Sequence, residues 1–336
     1  MSVARRIAAQ WFLLCLAVLL LIGAVWHAEL DPLAEATPRN ALVAMIMLLV
    51  SAPLDLRKSL STPSAWKATA IAVAVNAGLA GPLAWLFGKF LPDPLAVGLV
   101  VAAIAPCTVA SAVVWTRRGA GNDAVALTVT VITNMGCFLT LPAWTWLLIS
   151  SRAEVDAPAL GLRLLAVVVV PIAIGQAVRA LPSLRSWCDR RRKGLGITAQ
   201  CALLFMVFIG AVKCGALLAS PETRPSLADL FWLIVIVSVV HTLLFAAAWV
   251  VARGVGCDRH DAMPAGIGGS QKTLAVGLDV ALGFGGLAVL PMVIYHASQL
   301  LIDAVIVERL KPGGQGQENQ PKGPGSEGLE PPPDRP

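Results

Sequence analysis

The chain has 336 residues, of which 57% are hydrophobic and 14% are charged, and its formal net charge is +6. Soluble globular chains carry about 25% charged residues, so the composition excludes a soluble protein and predicts an integral membrane protein. The basic residues lie in short gaps between apolar runs rather than in one patch, which excludes nucleic-acid binding.

Apolar segments of about 20 residues, the length that crosses a hydrocarbon core of ~30 Å, recur along the chain. Each segment is predicted to be a transmembrane helix, so the expected fold is an all-α membrane domain at 1–310. Two inverted five-helix repeats are expected within it, at about 10–150 and about 158–308. The ten predicted spans are 11–28, 40–55, 66–88, 94–117, 123–150, 158–180, 194–219, 226–253, 261–282 and 285–308.

Charge alternates between the gaps that separate these spans. Every second gap is rich in Arg and Lys, and the densest example lies at 185–193. The remaining gaps hold few basic residues, and these are offset by Asp and Glu. The positive-inside bias therefore predicts an even number of spans in the plasma (inner) membrane, with both termini cytoplasmic. The tail at 311–336 is rich in Gly, Pro, Gln and Glu and is predicted to be disordered in the cytoplasm.

Catalytic and metal-binding motifs are missing from the sequence. There is no HExxH, no GxSxG and no pair of intramembrane aspartates, so we expect a protein that is not an enzyme. The seven cysteines are scattered, without a CxxC pair or metal-ligand spacing. No transition-metal site and no bound cofactor are therefore expected.

The fourth predicted helix of each half is interrupted. PLAVGLVVAAIA at 94–105 is followed by PCTVASAVVWTRRGAGND at 106–123, and DAMPAGIGG at 261–269 is followed by SQKTLAVGLDVAL at 270–282. Proline removes an amide donor, and glycine costs about 1 kcal/mol in a helix. Irregular backbone is tolerated at membrane depth only where it faces protein or a water-filled cavity. The two breaks therefore predict a binding site.

This site is expected to favour an anion. Half-helices are predicted to begin at 107–109 and at Ser270, and a helix N-terminus carries about half a positive charge with free amide donors. Lys272 lies one turn further, where a charged side chain costs about 2.5 to 3.5 kcal/mol. We expect Lys272 to bind the substrate anion, to replace one coupling cation or to carry a coupling proton. The structural alternative is an ion pair with Asp279, seven residues further along.

Three ordered motifs resemble the divergent branch of the bile acid:sodium symporter family. They are PCTVASAVVWTRRGAGND at 106–123, GGSQKTLAVG at 268–277 and LPMVIYHASQLLID at 290–303, and the resemblance covers essentially 10–308. It implies a panel domain and a core domain whose fourth and ninth helices are broken and cross. It also implies a symporter in the lipid bilayer that carries a small organic anion, with Na+ as the coupling ion.

The resemblance also implies ligands for sodium. The serine of the family's Ser-Asn pair matches Ser111, and the ninth-helix glutamine matches Gln271. The family's asparagine and acidic residue are replaced here by Ala112 and Ile267, so the sodium sites are altered and hold only neutral oxygen ligands. The ion-binding candidates are Asn76, Ser111, Thr128, Thr130, Asn134, Gly268, Gly269 and Gln271.

Candidate substrate-binding residues lie at the two breaks and on the last predicted helix. There, His296, Gln299 and Asp303 share one face at spacings of three, four and seven residues. Asp303 is near the cytoplasmic end, which favours helix pairing over a role in transport. His241 is isolated in VVHTLLF and is predicted to be a hydrogen-bonded structural residue. The substrate-binding candidates are Thr108, Ser270, Lys272, Thr273 and His296.

Arg163 and Lys213 lie near the outer ends of their helices and are expected to extend to the membrane interface.

Three alternatives to the symporter remain. They are a proton-coupled or uncoupled carrier that uses Lys272, a channel, and a non-transporting membrane regulator. The substrate's identity and the oligomeric state stay open.

Overall fold

A computed structural model describes residues 11–55, 63–108, 111–151 and 155–310. Over these ranges the chain is helical and contains no β-strand. Six helices of the described chain are long and apolar enough to cross a membrane, or seven if one bent pair counts as a single span. The predicted tail at 311–336 lies outside the described residues.

The described residues before 152 form eight α-helices. A π-helical turn, Ala74–Leu79, joins the fourth of them to the fifth without a break. The helices are α1 Trp11–Val25, α2 His27–Ala36, α3 Arg39–Ser51, α4 Pro63–Val73, α5 Ala80–Gly88, α6 Asp93–Ile104, α7 Ser111–Arg118 and α8 Asp123–Ile149.

The described residues after 154 form seven more α-helices. A second π-helical turn, Leu165–Val169, joins the first two, and a 3-10 turn, Gly286–Ala288, precedes the last. The helices are α9 Ala157–Leu164, α10 Val170–Ala180, α11 Pro182–Ala219, α12 Leu227–Gly254, α13 Arg259–Ser270, α14 Leu274–Gly283 and α15 Val289–Leu310.

Two predicted helix boundaries are wrong. The span predicted at 11–28 is two helices, because α1 and α2 meet at an angle of 106° where the apolar run gives way to the acidic segment of α2. The span predicted to begin at 194 begins at Pro182, and α11 is 38 residues long. Lys and Arg are good helix formers, so the basic cluster at 185–193 continues the helix instead of interrupting it.

The helices pack as two groups. One group contains α1, α3, α10 and α11, and the other contains α4, α6, α8, α12, α13 and α15. The short helix α14 contacts members of both groups, since it packs against α3 and α11 as well as α6 and α15. Residues that precede and follow α14 therefore lie where the two groups meet.

Close packing between α6 and the Gly286–Ala288 turn depends on Gly98. A Cβ atom at Gly98 would lie 2.4 Å from the backbone oxygen of Ala288, which cannot move without shifting the turn. We expect Gly98→Ala to lower the free energy of unfolding by about 1 to 3 kcal/mol. Gly136→Ala is the matched control, because a Cβ there has no neighbour within 4 Å. Equal unfolding temperatures for the two purified variants would contradict this prediction.

Candidate functional site

Two helix interruptions meet in the interior of the protein. After α6 ends at Ile104, residues 105–108 are not helical, and after α13 ends at Ser270, residues 271–273 are not helical. The amide of Thr273 donates a hydrogen bond to the carbonyl oxygen of Pro106, with an N···O distance of 2.8 Å. This bond joins the two interruptions, and we call the joined segments the crossing.

The half-helices do not begin where they were predicted. Residues 107 and 108, where the first was expected to begin, are not helical; α7 is described from Ser111, and Val109 lies outside the described residues. α14 begins at Leu274 rather than at Ser270. Lys272 therefore lies in the non-helical segment, not one turn into a helix.

Glycines before Lys272 explain why α13 continues through Ser270 and α14 begins later than predicted. A Cβ atom at Gly266 would lie 2.8 Å from Phe245, and one at Gly268 would lie 2.9 Å from Val129. These glycines remain helical and allow α13 to pack closely against α12 and α8. The helix extends through Ser270, whose hydroxyl donates to the Gly266 carbonyl oxygen at 3.0 Å.

Hydrogen bonds at the crossing bring five of the predicted site residues together. The Ser111 hydroxyl donates to Gln271 Oε1 at 2.9 Å and lies 3.3 Å from Thr108 Oγ1. Thr130 Oγ1 donates to the Thr108 carbonyl oxygen at 3.2 Å. Asn134 Nδ2 donates to the Thr130 carbonyl oxygen at 2.8 Å and also binds the same non-helical segment, through the carbonyl oxygen of residue 107.

Asn76, in the first π-helical turn, caps the C-terminus of α13. Its Nδ2 donates to the carbonyl oxygens of Gly268 and Gln271 at 2.9 and 3.1 Å, and Gly269 O lies 3.5 Å away. Asn76 Oδ1 and Asn134 Oδ1 are buried and have no hydrogen-bond partner among the described residues. Hard cations take such oxygen ligands, and each of these two atoms is a buried acceptor of that kind beside the crossing.

Two other predicted site residues bond to their own helices. Thr128 Oγ1 donates to the Ala124 carbonyl oxygen at 2.7 Å, and the Ser270 hydroxyl bonds within α13. The Ser270 carbonyl oxygen is different, because it accepts a hydrogen bond from the Tyr295 hydroxyl at 3.0 Å. This bond ties the end of α13 to α15.

Lys272 is fully buried, with 0% of its surface exposed. Its Nζ donates to the Asn76 carbonyl oxygen at 2.7 Å. Because Lys272 lies outside a helix, its backbone groups need other hydrogen-bond partners, and Gln299 supplies them. Gln299 Oε1 accepts from Lys272 N at 2.8 Å, and Gln299 Nε2 donates to Lys272 O at 3.1 Å. His296 Nδ1 lies 2.9 Å from Gln299 Nε2, so His296 reaches the crossing through Gln299.

Asp303 and His241 form a fully buried pair. Asp303 Oδ1 lies 3.0 Å from His241 Nε2, and both side chains are 0% exposed. His241 is thus hydrogen-bonded as predicted, and the pair joins α15 to α12, which agrees with the helix pairing predicted for Asp303. The sequence did not predict the second contact of the carboxylate, in which Gln271 Nε2 donates to Asp303 Oδ2. The spacing from His296 was the available signal that Asp303 faces the crossing.

Two charged residues have partners that the sequence did not predict. Asp279 is paired with Arg163, whose Nη2 lies 3.4 Å from Asp279 Oδ2, so the structural alternative of a pair with Lys272 is wrong. The seven-residue spacing fails because Lys272 is not part of α14. Lys213 Nζ lies 2.7 Å from Asp31 and 3.3 Å from Glu35, whose side chains are exposed, and the extension of Lys213 to the interface stays a prediction.

A cavity of about 230 Å³ lies between α3, α11 and the crossing. Its walls are mostly apolar, and Thr108 and Thr273 bring the two non-helical segments to its surface. Arg117 and Arg192 are also among the residues that line it, and the Arg117 guanidinium pairs with Asp123. Lys272 is not among the residues that line this cavity.

Asp258, His260 and Asp261 place three possible metal ligands within 4.8 Å of one another. These residues lie at the start of α13, where Asp258 accepts from the Asp261 amide at 2.8 Å and caps the helix. Asp261 Oδ1 accepts from Asn122 Nδ2 at 2.7 Å. The hydrogen bonds account for the positions of both carboxylates without a metal ion.

The apolar helices, the interrupted pair and the polar crossing together define a multi-pass α-helical membrane protein. The chain belongs to the SBF-like CPA transporter family, whose family model matches residues 10–312. This result confirms the family relationship that the three motifs indicate. Members of this family are transporters rather than enzymes.

Several characterised relatives are similar to about two thirds of the chain. The probable sodium/metabolite cotransporter BASS4, chloroplastic, of Arabidopsis thaliana is 30% identical over 232 residues, which cover 64% of this chain and 52% of the plant protein. Sodium/bile acid cotransporter 7-A of Xenopus laevis is 26% identical over 244 residues, 68% of each chain. Sodium/bile acid cotransporter 7 of Rattus norvegicus is 25% identical over 239 residues. The matched region therefore spans about half the length of the plant relative.

Proposed function

We propose that the protein is a secondary active transporter that carries a small organic anion together with sodium across the plasma (inner) membrane. The observation that carries this proposal is the Thr273–Pro106 hydrogen bond, which joins two interrupted helices at the inner end of a cavity. Interrupted helices that meet beside a cavity are the usual ion and substrate sites of secondary transporters. The proposed architecture is ten spans in two inverted repeats, with both termini cytoplasmic and the cavity open to the cytoplasm.

The cavity suits an organic anion with an apolar body. Its apolar walls match the body of such a molecule, and Arg117 and Arg192 match a carboxylate or sulfonate group, since guanidinium groups bind these anions with two parallel hydrogen bonds. The hydroxyl groups of Thr108 and Thr273 supply further polar contacts. The names of the relatives include bile acids and metabolites as cargo, which supports an organic substrate.

Sodium coupling is supported by the ligands at the crossing. Asn76 Oδ1 and Asn134 Oδ1 are free acceptors within the described structure, and Ser111, Thr130 and Gln271 add further oxygen atoms nearby. All of these ligands are neutral. A second candidate is therefore a proton-coupled or uncoupled carrier in which the Lys272 ammonium replaces one coupling cation, and its burial against the Asn76 carbonyl oxygen favours that role.

A thermal-shift screen of the purified protein tests the proposal. We expect amphipathic organic anions such as taurocholate to raise the unfolding temperature more in sodium chloride than in choline chloride, because ion and anion bind together. Gln271→Leu removes the side chain that links α13 to Ser111, so the sodium-dependent part of the shift should decrease. Thr242→Val is the control, since its hydroxyl bonds within α12 and is exposed. A screen in which no organic anion produces a sodium-dependent shift would contradict sodium-coupled transport.

A further inference from the structure

The walls of the cavity continue beyond its inner end along two helices. On α14, Ala275 lines the cavity, and Asp279 follows four residues later on the same face of the helix. On α3, Ile46 lines the cavity, and Arg39 precedes it by seven residues, again on the same face. Both faces therefore run from the cavity towards charged residues. We call the path along these two helix faces the route.

These charged residues lie at the opposite end of the molecule from the cavity mouth. α8 has 27 residues and is about 40 Å long at 1.5 Å per residue. Arg117, at the cavity, precedes the start of α8, whereas Arg163 is on α9, which follows the end of α8. A second cavity of about 280 Å³ opens at this end, and Arg163 is part of its lining.

Asp279 is a buried carboxylate that has no hydrogen bond. Its side chain is 1% exposed, and neither oxygen atom has a hydrogen-bond partner among the described residues. Arg163 Nη2, at 3.4 Å, forms a loose ion pair with it. A buried carboxylate is costly without compensating charge, and Arg163 is the cation that lies beside it in the described structure.

Arg163 and the carboxylate belong to different helices. Arg163 is on α9, whereas Asp279 is on α14, beside the crossing. A guanidinium group offers five donors in a planar fork that fits a carboxylate or sulfonate. Arg163 forms no hydrogen bond with either Asp279 oxygen, and its side chain is still 30% exposed.

We propose that Arg163 forms a second binding site for the anionic group of the substrate, and that Asp279 occupies this site and closes the route in the present conformation. This proposal rests on the proposed transport of an organic anion. When α14 moves away from α9, Asp279 leaves Arg163 and the substrate's carboxylate or sulfonate group replaces it. Arg163 thus keeps one anionic partner in both conformations.

Cysteine accessibility tests the closed route without substrate or sodium. Ala275→Cys is placed in a chain whose native cysteines are replaced, and a membrane-impermeant maleimide is applied to proteoliposomes from each side. The parent protein should react only from the side that carries Arg117 and Arg192. Asp279→Asn should raise the rate of reaction from the opposite side by about tenfold, which corresponds to about 1.4 kcal/mol in the opening equilibrium.

Anion binding is tested in the same Asp279→Asn protein. Sulfate applied from the side of Arg163 should slow the labelling of Cys at position 275 by at least about threefold relative to chloride at matched ionic strength, because sulfate occupies the vacated Arg163. Adding Arg163→Ala should abolish this protection. Sulfate that protects equally with and without Arg163 would overturn the anion site.

Two further variants distinguish closure of the route by Asp279 from a general loss of structure. Lys213→Met breaks another ion pair at the same end, with Asp31 at 2.7 Å, and should leave labelling unchanged. The charge exchange Arg163→Asp with Asp279→Arg should restore slow labelling from the Arg163 side. Unchanged labelling in Asp279→Asn, or an equal increase in Lys213→Met, would overturn the proposal. Because the assay needs no substrate, a failed anion screen leaves this result interpretable.

Discussion

Replacing Lys272 with methionine is expected to preserve the fold and to change the ion requirement of transport. The side chain is fully buried, and Nζ has one hydrogen bond within the described structure, to Asn76 O. Methionine has a similar volume without the charge, and an apolar replacement of a buried charged group is often neutral or stabilising. The purified Lys272→Met protein should therefore unfold at the same temperature as the parent or at a higher one.

Transport by this variant should reveal what the ammonium does. Lys272 does not line the cavity, so the KM for the anion should change by less than about threefold, which is below 1 kcal/mol. Removing the fixed positive charge frees the Asn76 carbonyl oxygen for another cation, and the dependence of uptake on sodium should become steeper. Uptake is measured in proteoliposomes with sodium and proton gradients imposed separately.

Two other variants complete this comparison. Lys272→Arg keeps the charge and should retain the ion dependence of the parent protein. Lys213→Met removes a lysine outside the crossing and should change neither the KM nor the ion dependence. Normal transport by Lys272→Met with unchanged ion dependence would show that the ammonium has no part in coupling.

The local sequence predicted roughly where the helices are interrupted, but not the residue at which each helix ends or begins. Pro106 cannot donate a backbone hydrogen bond, and its effect is local, so a break near it was predictable. The end of α13 depends on how Gly266 and Gly268 pack against α12 and α8. Glycine has low intrinsic helix propensity, yet close packing of neighbouring helices overrides that preference here. For this reason the helix stops after Ser270 instead of before it.

Pairings across the structure were predictable only where both partners lie on one continuous helix. The shared face of His296, Gln299 and Asp303 required only the helical repeat of α15. The alternative pair of Lys272 and Asp279 used the same repeat, and it failed because Lys272 lies before the start of α14. Contacts between Asp303 and Gln271, 32 residues apart, depend on the relative positions of α13 and α15, which no local pattern specifies.

Asp303→Asn is expected to destabilise the protein by about 3 kcal/mol or more. Asp303 joins three elements, because its carboxylate contacts His241 on α12 and Gln271 at the crossing while its backbone lies in α15. Asparagine keeps the shape but replaces one accepting oxygen with a donating amide, which then faces another donor. A buried donor that loses its acceptor costs about 1 to 3 kcal/mol, and more where the lost bond was to a charged group such as a carboxylate.

The same substitution should also weaken sodium binding, because the orientation of the Gln271 amide depends on Asp303. Gln271 Nε2 donates to Asp303, and this leaves Oε1 free to accept from Ser111 at 2.9 Å. An asparagine amide that donates to Gln271 would turn Oε1 away from Ser111. Glu308→Gln is the control on the same helix, since Glu308 is exposed and its carboxylate lies 3.9 Å from Arg118. We expect Asp303→Asn alone to lower both the unfolding temperature and the sodium-dependent thermal shift; equal values for the two variants would show that Asp303 does not support the crossing.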